Sequence, residues 1–310
     1  MANKLKHLHY KLFKFKHYHM HVYDKKDDKW LIEHLYESEF EKKIDLDNPK
    51  TFNEKIQWLK LNYNDPKYPM LVDKLAVRKY VEENIPELNL IPLLGTYNNP
   101  NEIDFDKLPN KFVLKCNHNS GRGVFVCRDK SSLSKSQIRK AKKELKKALK
   151  YNFYYETRER AYKNLVPTIL CEQYMTDNPT VDVLTDYKFY CFNGYVDCVM
   201  VCTGRETGHP LFYFFDEQWK LKRINLNGLR APEDFTIEKP SQMDAMFKLV
   251  SKLSKGMPYV RIDLYQINNK IYFGEFTFYP KGGLDVNYLP QTEKYFGDLI
   301  KLDLGETKHE

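Results

Sequence analysis

The stretch Tyr259-Val-Arg-Ile-Asp-Leu-Tyr-Gln-Ile-Asn-Asn-Lys-Ile-Tyr-Phe-Gly-Glu-Phe-Thr-Phe-Tyr-Pro-Lys-Gly-Gly283 reads as two strands that carry charge where strands ordinarily bury apolar side chains. Side chains alternate along an extended chain, so Val260, Ile262 and Leu264 fall on one face and Arg261, Asp263 and Tyr265 on the other. On the second strand Ile271, Phe273, Glu275 and Thr277 share a side. Setting Asp263 directly opposite Glu275 requires an odd loop of about three residues around Asn268-Asn269-Lys270, because a two-residue turn would send the carboxylates to opposite faces. The same register places Arg261 opposite Thr277. Paired carboxylates repel unless a cation lies between them, and Mg²⁺ is commonly held by one or two carboxylates plus phosphate oxygens. A solvated hairpin with ordinary surface charges is the competing reading of this stretch alone.

Around the hairpin lies a chain of 310 residues, long enough for two domains or one large one with a substantial core. The longest apolar run, from Tyr195 to Cys202, already contains Asp197 and falls far short of the roughly 18–20 residues of a membrane span. No compact apolar segment with a small-residue cleavage site opens the sequence, as a secretory signal would. The six cysteines, Cys116, Cys127, Cys171, Cys191, Cys198 and Cys202, form no CxxC pair and read as reduced thiols packed in apolar strands. A cytoplasmic chain is therefore expected.

The formal charge of +8 is concentrated in two segments, so no specific nucleic-acid partner is expected. One is the run from Ser134 to Lys150, where Ile138, Ala141, Leu145 and Leu149 recur at helical spacing and lysines cover the other faces. It reads either as a solvated helix or as a lid helix above a phosphate-rich pocket. The other lies within residues 1–23, where Leu5, Leu8, Leu12 and Phe15 make an apolar stripe on a helix flanked by lysines. His17, His19 and His21 alternate, but on a helix they fan out instead of converging on a metal. A surface helix is expected here, with weak peripheral docking to an anionic membrane at its inner face as the alternative.

Periodicity predicts a helix over about 28–40, then a second from the capping-box sequence Thr51-Phe-Asn-Glu54 to about Leu61, and a third over 73–81. From Lys111 the pattern changes to short strands at 112–115 and 124–126, with helices between about 134 and 164. Strands return at 168–174, 186–202 and 211–215, and a helix over 241–255 precedes the opening hairpin. Asn193-Gly194 is a strong hairpin signal.

Three segments carry phosphate-handling chemistry. Lys115-Cys-Asn-His-Asn-Ser-Gly-Arg-Gly123 places a lysine on a strand and two glycines beyond it, so that backbone amides can approach a polyphosphate while the lysine supplies a point charge. A Walker loop has the opposite order, with the lysine after the glycines and a helix following. Read alone, this stretch is equally a glycine-containing turn. Ile169-Leu-Cys-Glu-Gln-Tyr-Met175 is an apolar strand that turns polar at its end, where backbone amides and Glu172 suit the edge of adenine. Lys188, in the aromatic strand from Tyr187 to Phe192, either packs by snorkelling or reaches a phosphate.

Taken in order, Asp73-Lys74 with Val77-Arg78, the segment from Phe112 to Gly123, Glu172-Gln173-Tyr174, the segment from Tyr187 to Gly194, and Arg261-Ile-Asp263 through Gly283 resemble the ATP-grasp superfamily, and within it the TupA-like branch of teichuronopeptide biosynthesis. The resemblance spans about residues 50 to 290. It implies an α+β, ATP-grasp fold in which two α+β subdomains clasp ATP. The expected division is a helical N-terminal region over 1–62, an N-terminal α/β segment over 63–110, a lid subdomain over 111–175, and a C-terminal subdomain with the metal site over 176–310. Carried over, Lys74 and Lys115 hold phosphates, the loop with Ser120, Gly121 and Gly123 covers the nucleotide, and Glu172, Gln173 and Tyr174 form the adenine hinge. Asp263 and Glu275 bind Mg²⁺, with Thr277 standing where the family has asparagine, so the number of metals is open.

The implied activity is ATP-dependent carboxylate–amine ligation in surface-polysaccharide biosynthesis, joining an amino acid or amine to a uronic-acid-type carboxylate through an acyl phosphate. Arg261 would orient that acyl phosphate, Lys188 would add positive potential, and Arg205, Gly282 and Gly283 would contact substrate. A sugar kinase of the same fold, a glycosyltransferase of the same pathway, and a non-enzymatic polyanion- or membrane-binding protein are the rivals. The sequence leaves the oligomeric state open.

Overall fold

Local rules written into the sequence start and stop most elements of the computed structural model, which describes residues 2–177 and 184–303. Helix α1 (Ala2–Tyr18) leads to α2 (Asp28–Phe40), where the Asp27 side chain caps by accepting from the Trp30 amide. Helix α3 (Phe52–Asn62) opens on the expected reciprocal capping box of Thr51 and Glu54. After α4 (Tyr68–Val72), the helix expected from Asp73 begins only at α5 (Ala76–Asn84). The Asp73 carboxylate accepts from the amides of Leu75 and Ala76, at 2.8 and 3.1 Å, and so stands just outside it.

Strands β1 (Asn89–Leu90), β2 (Leu93–Tyr97), β3 (Phe112–Cys116) and β4 (Val124–Cys127) follow. Then come α6 (Lys135–Leu149), opened by a second capping box of Ser134 and Gln137, α7 (Tyr154–Thr157) and β5 (Ile169–Gln173). Next, β6 (Tyr187–Phe192) and β7 (Tyr195–Thr203) meet at Asn193-Gly194, both at positive φ (49° and 89°), as a type I′ turn requires. The chain closes with β8 (Leu211–Phe215), β9 (Leu221–Lys222), α8 (Leu226–Arg230), α9 (Met243–Leu253), β10 (Val260–Ile267), β11 (Lys270–Thr277) and α10 (Pro290–Leu299).

The chain forms two compact units: residues 1–64, 187–263 and 277–310 in one, residues 65–186 and 264–276 in the other. In the first, the strand order is β10-β6-β7-β8-β9. Its core is aromatic, with Phe52, Phe189, Tyr259 and Phe296 all within 1% of complete burial. In the second, an antiparallel sheet runs β2-β5-β3-β4, and β1 pairs in parallel with β11. Phe112, Leu114 and Cys116 of β3 pack with Ile169 and Cys171 of β5 and with Leu145 and Ala148 of α6. All six cysteines are free and buried. Among the described residues no helix is long and apolar enough to cross a membrane.

One expectation about the opening hairpin is corrected. The β10–β11 loop is a two-residue turn, Asn268-Asn269, with φ of 50° and 59°. Asparagine tolerates the left-handed region, and this turn matches strand twist better than a longer loop. Along β11 and just beyond it the buried side chains are Ile271, Phe273, Phe276 and Phe278. Arg261 Nη2 does donate to Thr277 Oγ1, at 3.1 Å.

Helix α1 buries a face that its leucine stripe does not include. The side chains turned inward are Tyr10, Phe13 and His17, whereas Leu8, Leu12 and Phe15 are 63%, 49% and 54% exposed. Phe13 packs with Leu31 and Leu35 of α2, while Tyr10 donates to Glu37 (3.0 Å) and Lys14 to Glu39 (3.2 Å). An aromatic face with polar tips fits this partner surface better than the leucines, which satisfy none of its carboxylates.

Candidate functional site

In the second unit a set of charges gathers at the ends of β3 and β5. These strands are antiparallel with Val113 opposite Glu172, so Lys115, two residues along on the same face, is a diagonal neighbour of Glu172. Lys115 Nζ lies 2.6 Å from Glu172 Oε2, and Arg78 Nη1 lies 3.4 Å from Oε1. The buried carboxylate expected at the adenine edge is thus held between two cations. Its neighbour Gln173 is exposed, with its amide donating to Pro92 O at 3.0 Å, and Tyr174 lies beneath the cationic groups of Lys111 and Arg128.

Lys74 belongs to the same unit. Its Nζ donates to Asn119 O at 2.7 Å. Burial lowers its pKa from the usual lysine value, the Glu275 carboxylate opposes that, and Lys115 repels it. Lys74 and Lys115 therefore share one electrostatic neighbourhood with the carboxylates of Glu275, Asp73 and Glu172.

Asn117-His118-Asn119 builds the floor beneath Lys74, a role the sequence reading did not assign. All three are buried. Asn117 Nδ2 donates to Asp73 Oδ2 (2.8 Å) and to Val166 O (3.0 Å), while its Oδ1 accepts from the Thr168 amide (2.8 Å). Asn119 Nδ2 donates to Ala148 O at 3.0 Å. Three polar residues directly after an apolar strand were the available signal.

Ser120, Gly121 and Arg122 of the adjoining loop are exposed, and Arg122 stacks 4.5 Å from the Tyr151 ring centre. The two loop glycines differ. A Cβ on Gly121 (φ +70°) would meet nothing within 4 Å, whereas on Gly123 (φ +68°) it would lie 2.5 Å from Ala148 Cβ. Gly123 is therefore required by packing, and Gly121 only by backbone conformation.

In the first unit, β10 and β6 carry the second cluster. Asp263 is 1% exposed, and Arg261 grips both its oxygens, Nε to Oδ1 at 2.7 Å and Nη2 to Oδ2 at 2.9 Å. Lys188 Nζ makes a very short contact to the same Oδ2. Burial disfavours the Asp263 anion, but Arg261 and Lys188 outweigh it and hold the carboxyl below its usual range. Thr277 completes the group through Arg261.

Arg261 also borders a cavity of about 310 Å³ in this unit. Its apolar wall is Tyr190, Phe212, Phe214 and Tyr288; Arg230 and Lys281 bring further cations, and Asn225, Asn227, Asp285 and Asn287 bring hydrogen-bonding groups. Arg223 fixes the wall by donating to the carbonyls of Gly228, Ala231 and Pro232, at 2.6, 2.7 and 2.7 Å. Asn225 donates to Phe212 O (2.9 Å) and Asn227 accepts from the Phe212 amide (3.1 Å). The Tyr190 and Tyr288 hydroxyls share a hydrogen bond of 2.9 Å, and burial raises both phenol pKa values, keeping them protonated. None of these residues except Arg261 was singled out from sequence, because they come from segments scattered between Tyr190 and Tyr288.

Of the three expected substrate contacts, Arg205 sits on an exposed turn and does not line that cavity. Gly282 and Gly283 are buried against α3. Their carbonyls accept from Gln57 Nε2, at 3.0 and 2.8 Å, Lys60 donates to Gly282 O, and the Gly282 amide donates to Tyr279 O at 2.8 Å. A Cβ on Gly283 would lie 2.6 Å from Ile56 Cγ2. Gly283 is therefore required by packing, and Lys281 is the residue of the turn that lines the cavity together with Pro280.

Among the described residues no group of three or more His, Cys, Asp or Glu is placed to hold a metal ion. In the first unit Asp263 and Thr277, and in the second Glu275, carry hard oxygen donors of the kind Mg²⁺ takes when phosphate and water complete its shell.

Comparison with known proteins adds the following. The family model for TupA-like ATPgrasp matches residues 54–301. A D-alanine–D-alanine ligase from Bacillus anthracis, solved with ATP, is 14% identical over 74% of this chain and 63% of its own, with a TM-score of 0.43. The D-alanine–D-alanine ligase from Helicobacter pylori gives 12% identity, coverage of 75% and 62%, and a TM-score of 0.41. The ATP-grasp ligase PsnB, complexed with a minimal precursor, Mg and ADP, gives 12%, 73% and 57%, with a TM-score of 0.36. The chain thus spans less than two thirds of each of these proteins. No curated protein sequence matches it.

Proposed function

Because the chain belongs to the TupA-like ATP-grasp family, we propose that it is an ATP- and Mg²⁺-dependent carboxylate–amine ligase working through an acyl phosphate. The observation that carries this reading is the buried Arg261–Asp263–Lys188 set on the margin of a cavity that supplies further cations. A carboxylate oxygen attacks the γ-phosphorus, the bond to the bridging β–γ oxygen breaks, and ADP leaves. An amine then attacks the acyl carbon; phosphate departs with the bonding pair, and the amine loses its extra proton to solvent.

Lys74 and Lys115 would hold the phosphates, the loop with Ser120, Gly121 and Gly123 would cover them, and Glu172, Gln173 and Tyr174 would flank the base. Asp263, Glu275 and Thr277 would hold Mg²⁺, which when bound offsets negative charge on the phosphates. Arg261, with its guanidinium already fixed by Asp263, would orient the acyl phosphate and stabilise the tetrahedral oxyanion. Lys188 shares that field. Backbone and side-chain charges fixed in advance supply most of the rate in phosphoryl transfer.

The cavity lined by Tyr190, Phe212, Phe214 and Tyr288 suits a substrate with an apolar ring face, while Asn225, Asn227 and Asn287 suit hydroxyls and Arg230 and Lys281 a carboxylate. This supports a surface-polysaccharide precursor of uronic-acid type as the acceptor, with an amino acid or amine as its partner. Proton release and ADP formation measured across uronic acids and amino acids, with Glu275→Gln as control, test the reading. ADP release that needs both a carboxylate and an amine supports it. Release driven by a hydroxylated sugar alone, with no amine requirement, would assign a kinase instead.

A further inference from the structure

Helix α1 has two faces, and only one belongs to the fold. Tyr10, Phe13 and His17 are buried on α2, which leaves Leu8, Leu12 and Phe15, at i, i+4 and i+7, side by side and about half exposed or more. Met20 and Val22 continue the exposed apolar surface at 57% and 53%. Lys11 and Lys16 lie on either side of the stripe, both outside the buried face. The charges flanking the stripe are of one sign, since the first acidic residue of the chain is Asp24, whereas Lys14 is turned to α2 and paired with Glu39.

We propose that this face of α1 docks in the plane of a membrane leaflet rich in anionic lipid, with Leu8, Leu12 and Phe15 below the headgroups and the lysines among them. The inference goes beyond the ligase reading and does not depend on it. An anionic leaflet answers both properties of the face at once: acyl chains take the leucines and the phenylalanine, and lipid phosphates take the ammonium groups. A second copy of the chain would bring the same lysines face to face across a two-fold axis, which opposes self-association. A nucleic acid would meet the lysines but leave the apolar stripe in water.

Flotation of the full chain with vesicles tests this. One set is phosphatidylcholine alone, the other carries about a third phosphatidylglycerol, a content chosen for a strong surface potential. Partition should be at least about tenfold greater on the anionic vesicles and fall as salt screens the lysines. The triple variant Leu8→Ser, Leu12→Ser, Phe15→Ser, whose positions lie outside the core, should lose at least about tenfold in partition while keeping its circular dichroism and ADP-forming activity. Lys11→Gln with Lys16→Gln should lose roughly fivefold per lysine on anionic vesicles only. Equal binding to both vesicle sets, no binding to either, or unchanged partition of the triple variant would overturn the proposal. So would a dimer, seen by sedimentation, that the triple variant abolishes without any change in lipid binding.

Discussion

Replacing Asp263 by Asn removes one negative charge and nearly no volume, and it tests whether the Arg261–Lys188 pair depends on that charge. Asp263 is 1% exposed and accepts two bonds from Arg261 and one from Lys188. An Asn side chain accepts through one atom only, so its amide group would face either the guanidinium or the ammonium, donor against donor. Two cations, with side chains 14% and 12% exposed, would then be left without their shared counter-ion. Breaking a buried pair in this way costs about 3–5 kcal/mol. Tryptophan fluorescence during urea unfolding is the assay, since Trp30, Trp58 and Trp219 all lie in the unit that holds Asp263. Acid supplies the cross-check. Arg261 and Lys188 hold the folded pKa below its ordinary value of 3.8, despite the opposing effect of burial. The stabilisation is therefore present above the unfolded pKa and is lost as pH falls through the folded one. The gap between parent and Asp263→Asn should shrink below about pH 4, where the unfolded carboxyl begins to protonate. A gap under about 1 kcal/mol at neutral pH, or one that persists unchanged into acid, would refute the reasoning.

Three further outcomes are expected. Burial raises the pKa of Glu293 to about 7, against the opposing hydrogen bonds from Asn53, so the folded state holds its proton more tightly than the unfolded state does. Stability should fall as pH rises from about 4.5 to about 7, by at most about 3 kcal/mol, and Glu293→Gln should flatten that slope in a pH series of urea melts. Gly283→Ala combines φ +67° with a Cβ 2.6 Å from Ile56, and should cost about 2–4 kcal/mol. Gly121→Ala, at φ +70° with open space around it, should cost about 1 kcal/mol, a contrast readable by amide hydrogen exchange. Finally, Lys115→Met should raise the nucleotide KM by at least about tenfold with little change in the acceptor KM, whereas Arg230→Ala should do the reverse in the same steady-state assay.

Local grammar was legible without coordinates. Thr51 and Glu54 announced the start of α3, Asn193-Gly194 announced the β6–β7 turn, and short apolar runs marked β3, β5 and β8. The motifs from Asp73 to Gly283, in their order, resemble the TupA-like ATP-grasp family whose model matches residues 54–301. The β10–β11 turn misled for a physical reason. Asn268 and Asn269 both accept positive φ and close the turn by themselves, which leaves Lys270 to open β11.

The sequence by itself determined where most elements begin and end, that the chain is α+β, and which family its motifs resemble in their order. These depend on interactions within a few residues or on motif order. Only the tertiary structure decided what each charge faces: Glu172 between Lys115 and Arg78, Asp263 gripped by Arg261 and Lys188, and Tyr190, Phe212, Arg230, Lys281 and Tyr288 around one cavity. Tertiary structure also turned α1 so that Phe13 is covered while Leu12 and Phe15 are not. Partners distant in sequence are chosen by packing and by the matching of polar groups across elements, and neither is encoded in the spacing along any single one of them.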